Sequence, residues 1–135
     1  MTDYVLDTNA LLRYLLNDIT DQAQDVAQLF EKVKRKEITV SIPAAVFLEA
    51  VFTLSKFYDL QKDAIGEQLF AVASNPILTI EKREIIKKAL LIWKTEGVSF
   101  VDCLVLAEAS FHGKTLFTFD QRLRRLSKRF AIDSK

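Results

Sequence analysis

The sequence predicts an α/β fold built around a mostly parallel sheet, and three observations carry that prediction. Short aliphatic or β-branched runs alternate with longer stretches of helical apolar periodicity. Two of the short runs end directly on an acid that opens a helix, at Asp7 and at Asp120. Only three Gly and two Pro interrupt 135 residues, half of them hydrophobic, which favours a helix-rich globule over a disordered or linker-rich chain. Strands separated by helices pair in parallel through right-handed crossovers. Read this way, the chain holds four to five short strands and about seven helices, in a single domain spanning 1–135.

The first strand is Tyr4, Val5 and Leu6, and it runs into Asp7, Thr8 and Asn9. The helix that follows carries Leu11, Leu12, Leu15 and Leu16, a stripe at helical spacing that Asn17 and Asp18 end. Any of Asp7, Thr8 and Asn9 has the chemistry of an N-cap. The wider pattern of acids assigns the cap to Thr8 and Asn9 and leaves Asp7 for another task. Thr20 or Asp21 is placed to cap a second helix with Ala23, Val26, Ala27, Phe30 and Val33 inward and its charged residues outward. Ile38–Ile42 is β-branched and reads as the second strand. Pro43 suits the start of the next helix, where a missing N–H costs nothing.

That third helix, 43–56, is apolar on opposite sides, through Phe47, Ala50, Val51 and Leu54 on one and Leu48 and Phe52 on the other. A helix of this kind expects a covering on both sides. Its one acid is Glu49, a carboxylate that burial would penalise without a cation. A fourth helix is expected over 62–73, a third strand over 77–80 after the turn at Asn75 and Pro76, and a fifth helix over 81–94. The fifth helix shows a clean stripe of Ile85, Ile86, Ala89, Leu90 and Trp93, with Lys82, Arg83, Lys87 and Lys88 as a solvated face. Ser99 with Asp102 resembles a capping box for the sixth helix, to about residue 111. The single histidine, His112, stands at its end as a partner for the helix dipole. A fourth strand, 116–119, then leads into Asp120 and a short basic helix, and a last strand is available at 130–132.

Composition excludes several classes. A net charge of +1 gives the chain as a whole no pull toward polyanions, so any such binding needs a local basic patch. One cysteine, Cys103, allows no intrachain disulfide and fits a reducing compartment. No apolar run approaches the ~20 residues that span a bilayer, and acids interrupt any leader-like start. A cytoplasmic protein is expected.

Four acids remain: Asp7 and Asp120 at strand ends, Asp102 in a first helical turn, and Glu49 within a helix. In open parallel sheets, functional groups gather beyond the carboxyl ends of the strands. Carboxylates brought into one cleft repel and need cations to stay ionised. Oxygen-only donors favour Mg²⁺ or Mn²⁺ over zinc, and one or two such ions, about 4 Å apart, serve phosphoryl transfer with no side-chain nucleophile. Thr8, Asn9 and Thr118 can hydrogen-bond water or phosphate there, and Arg13 and Arg122 are the candidate phosphate contacts.

Val5 to Asn9, the lone Glu49, the run from Ser99 to Leu104 and the run from Leu116 to Asp120 together resemble the PIN-domain family, over nearly the whole chain. Length and order further resemble its VapC-like members, ribonuclease toxins of toxin–antitoxin pairs. The resemblance implies a three-layer sandwich with a central parallel sheet, Mg²⁺- or Mn²⁺-dependent endoribonuclease activity on RNA, a homodimer and an antitoxin partner. It carries metal-site roles to Asp7, Glu49, Asp102 and Asp120, with Thr118 as the residue two before the last acid. Cys103 stands where the family usually has a small residue. Leu48, Phe52, Phe57 and Tyr58 would then meet a dimer mate or the antitoxin. Other readings stay open: a silent PIN-like binding module, or a phosphoryl-accepting receiver domain. The receiver lacks paired acids after its first strand here and an Asp after 77–80; a haloacid-dehalogenase-type phosphatase would want Asp where Asn9 stands.

Overall fold

The computed structural model describes Met1–Lys135. It divides into two compact units, Met1–Arg83 and Glu84–Lys135.

The first unit is built on β1 (Thr2–Val5), β2 (Ile38–Ile42) and β3 (Thr79–Ile80), a parallel sheet in the order β1-β2-β3. Thr2 pairs with Ile38, Val5 with Ser41 and Ile42 with Ile80, so all three strands finish at one edge. The intervening helices are α1 (Thr8–Leu16), α2 (Thr20–Lys34), α3 (Ala44–Lys56) and α4 (Lys62–Ser74). Val40 and Ile42, alternate residues of the central strand, are fully buried, as are Leu11, Phe47, Leu54, Ile65 and Leu69 from α1, α3 and α4. Each such side chain contributes about 2 kcal/mol by leaving water. Packing of α1 on α2 and α3, and of α3 on α4, closes this core.

The strand ending at Ile80 is two residues long where four are expected, and the reason lies in its carbonyls. Arg83 donates from Nη1 to the carbonyls of Ala73 and Asn75, both at 2.8 Å, and from Nη2 to that of Leu78. The Leu78 carbonyl is thereby engaged by a guanidinium instead of a neighbouring strand. Arg83 is a strut between the end of α4 and β3, whereas the helical pattern places it on a solvated face. At α2 the N-cap is Ile19, with no side-chain cap, in place of Thr20 or Asp21; Asp18 Oδ1 accepts the Ile19 N–H at 3.0 Å. Ala27, expected inward, is exposed.

The second unit contains most of α5 (Arg83–Thr95), then α6 (Phe100–His112) and α7 (Gln121–Arg129). The α5 stripe is buried as expected, at Ile85, Ile86, Ala89, Leu90 and Trp93, and α6 buries Cys103, Leu106 and Ala107. Residues 116–119 form no regular strand. They pair in parallel with the C-terminal segment instead: Leu116 N–H donates to Asp133 O at 2.7 Å, Lys135 N–H to Leu116 O at 2.9 Å and Thr118 N–H to Lys135 O at 2.8 Å. The last extended segment thus lies beyond 130–132, because Phe130 is the C-cap of α7 and Ala131 takes the left-handed conformation, φ 56°, that ends it. Seven helices and a parallel sheet make the chain an α/β protein. No helix is long and apolar enough to cross a membrane.

Candidate active site

In the first unit Asp7 and Glu49 follow strands that finish at one edge of the sheet. Leu6 continues β1 by donating its N–H to Ser41 O at 2.9 Å, and the chain then turns into α1 at Asp7. Asp7, not Thr8 or Asn9, is the N-cap: its Oδ1 accepts the Ala10 N–H at 2.8 Å. This corrects the assignment drawn from the sequence. Thr8 is buried to 8% exposure, while Asn9 is exposed. The cap engages one carboxylate oxygen, and Asp7 itself remains exposed. A carboxylate at a helix N-terminus is favoured there by the helix dipole.

Glu49 follows from β2 through α3, on the second turn after the same sheet edge, and its side chain is exposed with no ion-pair partner. Pro43 is the N-cap of α3 and offers no side-chain cap. The missing cap comes from Glu81, the residue after β3, whose Oε1 accepts the Ala44 N–H at 2.8 Å while its own N–H donates to Ile42 O at 3.1 Å. Glu81 therefore anchors the helix that carries Glu49. Sequence reading missed it, and its only signal was its place directly after a strand.

Arg13 does not serve as an exposed phosphate contact. It is 8% exposed, with Nη2 donating to Tyr58 Oη at 2.8 Å, Nη1 paired with Asp18 Oδ2 at 3.2 Å, and Nε buried without a partner. The physical reason is tertiary and not α1 periodicity: Tyr58 and Asp18 meet position 13, which lies off the Leu11, Leu12, Leu15 and Leu16 stripe, so the guanidinium is drawn into a structural pair.

In the second unit Ser99 caps α6, its Oγ accepting the Asp102 N–H at 3.1 Å, as the capping-box spacing predicts. The half-buried Asp102 carboxylate has no ion-pair partner. Asp120 caps α7, with Oδ1 accepting from Arg122 N–H at 2.8 Å and Leu123 N–H at 3.3 Å. Thr118 holds that acid in place, because its Oγ1 accepts the Asp120 N–H at 3.0 Å and its carbonyl accepts from Arg124 Nε at 3.0 Å. Arg122 Nη2 donates to Gly97 O, tying the start of α7 to the loop that enters α6, so Asp102 and Asp120 sit on two helix starts joined by one guanidinium. Arg122 nonetheless stays exposed. The close approach explains Gly97, since a Cβ there would lie 2.8 Å from Arg122 Nη2.

The four acids are alike in chemistry. None pairs with Lys, Arg or His, although the chain has 19 Lys and Arg, and Asp7 and Asp120 each keep an oxygen outside the cap. No three Asp, Glu, His or Cys side chains are grouped closely enough to enclose an ion. As a donor set, unpaired carboxylates suit hard divalent cations.

Residues 4–129 match the PIN domain, and the chain belongs to that family. It is also similar to a protein described as VapC ribonuclease from Aquifex aeolicus (strain VF5), 25% identical over 123 residues that span 90% of each chain.

Proposed function

We propose that this protein is a Mg²⁺- or Mn²⁺-dependent endoribonuclease and the toxin of a type II toxin–antitoxin pair. The observation that carries the reading is that Asp7, Glu49, Asp102 and Asp120, in a chain that belongs to the PIN-domain family, are all left without cationic partners. The similarity to a VapC ribonuclease supports RNA as substrate and an antitoxin as partner.

In this reading the four carboxylates would hold one or two cations. Bound there, such a cation supplies Lewis-acid activation of water and neutralises charge on the phosphodiester. The chain's own part is to present and fix those oxygens. Asp7 and Asp120 are oriented by their caps, Asp120 additionally by Thr118, Asp102 by the Ser99 turn, and Glu49 by α3 through Glu81. Asn9 and Arg122, both exposed, would meet phosphate oxygens. The chain acts as a single domain in the cytoplasm, and as a homodimer. Phe52 and Phe57, 54% and 67% exposed with Lys56 Nζ over both rings, form with Leu48 the surface for the dimer mate or the antitoxin.

The test is cleavage of single-stranded RNA by the purified chain with Mg²⁺ or Mn²⁺, with EDTA, and after Asp7→Asn or Asp102→Asn. Cleavage should require the metal and both acids. An Asp7→Asn protein that still cuts RNA at the same metal concentration would falsify the mechanism.

A further inference from the structure

Arg122 is engaged at both its backbone and its side chain, and both engagements lie within the second unit. Its backbone N–H donates to Asp120 Oδ1 at 2.8 Å, which fixes that acid at the start of α7. Its Nη2 donates to the carbonyl of Gly97, two residues before Ser99. Ser99 Oγ in turn accepts the Asp102 N–H at 3.1 Å and begins α6. One short path of bonds therefore runs from Asp120 through Arg122, Gly97 and Ser99 to Asp102. The two helices pack on each other far less extensively than α1 and α2 do, so a tether between their starts bears more of their alignment.

Gly97 belongs to this arrangement for reasons of space. Its φ lies outside the left-handed region, so the backbone there does not call for glycine. Beyond its chain neighbours, a Cβ at position 97 would meet Arg122 Nη2 at 2.8 Å and no other atom within 4 Å. A methyl group there displaces the guanidinium and disturbs nothing else. Arg122 also stands between two acids without forming an ion pair to either, and gives its Nη2 to a carbonyl instead. Both carboxylates keep their charge for another partner.

We propose that Arg122 is a positioning residue whose tether to Gly97 fixes Asp102 relative to Asp120, and thereby sets the affinity for a divalent cation. The inference rests on the metal-dependent reading and gives Arg122 a role separate from contact with phosphate. The sign of its effect separates it from simple electrostatics. A guanidinium beside a cation site repels the cation, so by charge alone its removal tightens binding. A tether works the other way, because carboxylates that lose their orientation bind a metal more weakly.

The test is titration of the whole chain with Mn²⁺, the free ion read by electron paramagnetic resonance, for wild type, Arg122→Gln, Gly97→Ala and the double variant. Arg122→Gln removes both the charge and the reach, whereas Gly97→Ala keeps the charge and moves only the end of the side chain. Each single variant should weaken Mn²⁺ binding about 10-fold, with urea unfolding midpoints near wild type. The double variant should fall within about twofold of either, since both changes break one contact. Unchanged or tighter Mn²⁺ binding in either single variant overturns the tether while the metal site stands, and so do losses that add in the double variant. Weaker single-stranded RNA binding in Arg122→Gln, with Mn²⁺ affinity intact, leaves only a phosphate contact and also overturns it. If the wild-type chain binds no Mn²⁺, the metal-dependent reading falls and the tether's role with it.

Discussion

Asp7 caps α1 through Oδ1, and under the proposed function its charge would serve a cation through the other oxygen. Asn caps as well as Asp, so Asp7→Asn should keep the chain's stability within about 0.5 kcal/mol while abolishing RNA cleavage. Asp7→Ala should lose both the activity and about 1 kcal/mol of stability, read by urea unfolding. Equal stability of the Ala and Asn variants would show that the cap contributes nothing. Arg13 argues the opposite case, of a residue type that suggests function and performs structure. Its guanidinium joins α1 to Tyr58 and Asp18. Arg13→Ala should cost about 1–3 kcal/mol through lost packing and stranded partners, with RNA affinity measured on the folded fraction unchanged.

At the scale of elements, helix ends decide the arrangement. Three of the four acids sit at or just inside helix N-termini, and the fourth rides on a helix whose N-terminus is capped from another strand by Glu81. Glu81→Gln retains an acceptor for the Ala44 N–H and should leave stability near wild type. Glu81→Ala should cost about 1 kcal/mol and lower cleavage along with it, a pairing that thermal melts and RNA assays on the two variants would reveal or refute. The far end of α7 offers a stabilising change. Ala131 holds φ 56°, with its N–H on Lys128 O at 3.2 Å and the Ile132 N–H on Ser127 O at 2.8 Å. Left-handed backbone strains a side chain with a Cβ, and glycine relieves this at some entropic cost. Ala131→Gly should therefore gain about 0.5 kcal/mol; a loss of that size in chemical unfolding would mean the strain is not there.

For the whole molecule, the proposed metal requirement becomes a matter of linkage. A cation that binds only the folded chain, at about 100 times its Kd, adds about 2.7 kcal/mol, a rise in Tm on the order of 10 °C for a chain of this length. Mn²⁺ or Mg²⁺ should raise the Tm of the wild-type chain, and Asp7→Asn should blunt the rise. A Tm indifferent to both ions would favour a silent binding module over an enzyme. The apolar exposure of Phe52 and Phe57 belongs to this scale as well, and light scattering on wild type and Phe52→Ser protein should show a dimer and its weakening.

What the sequence determined by itself was the seven helices, the first two strands and the positions of the four candidate acids. Helical stripes such as Ile85 to Trp93, the β-branched run Ile38–Ile42 and the Ser99 cap are local, so periodicity and capping chemistry reveal them without knowledge of the fold. Tertiary structure decided whatever depends on a partner distant in sequence. Glu81 reaches Ala44 across 37 residues and Arg13 reaches Tyr58 across 45. The segment 116–119 pairs with the C-terminus, and Arg122 ties to Gly97. No local pattern encodes such meetings, because they follow from where the strands and helices bring the chain together. The acid at Asp7 was legible from ten residues, whereas its role as the cap of α1 depended on a backbone turn that gave one oxygen to Ala10.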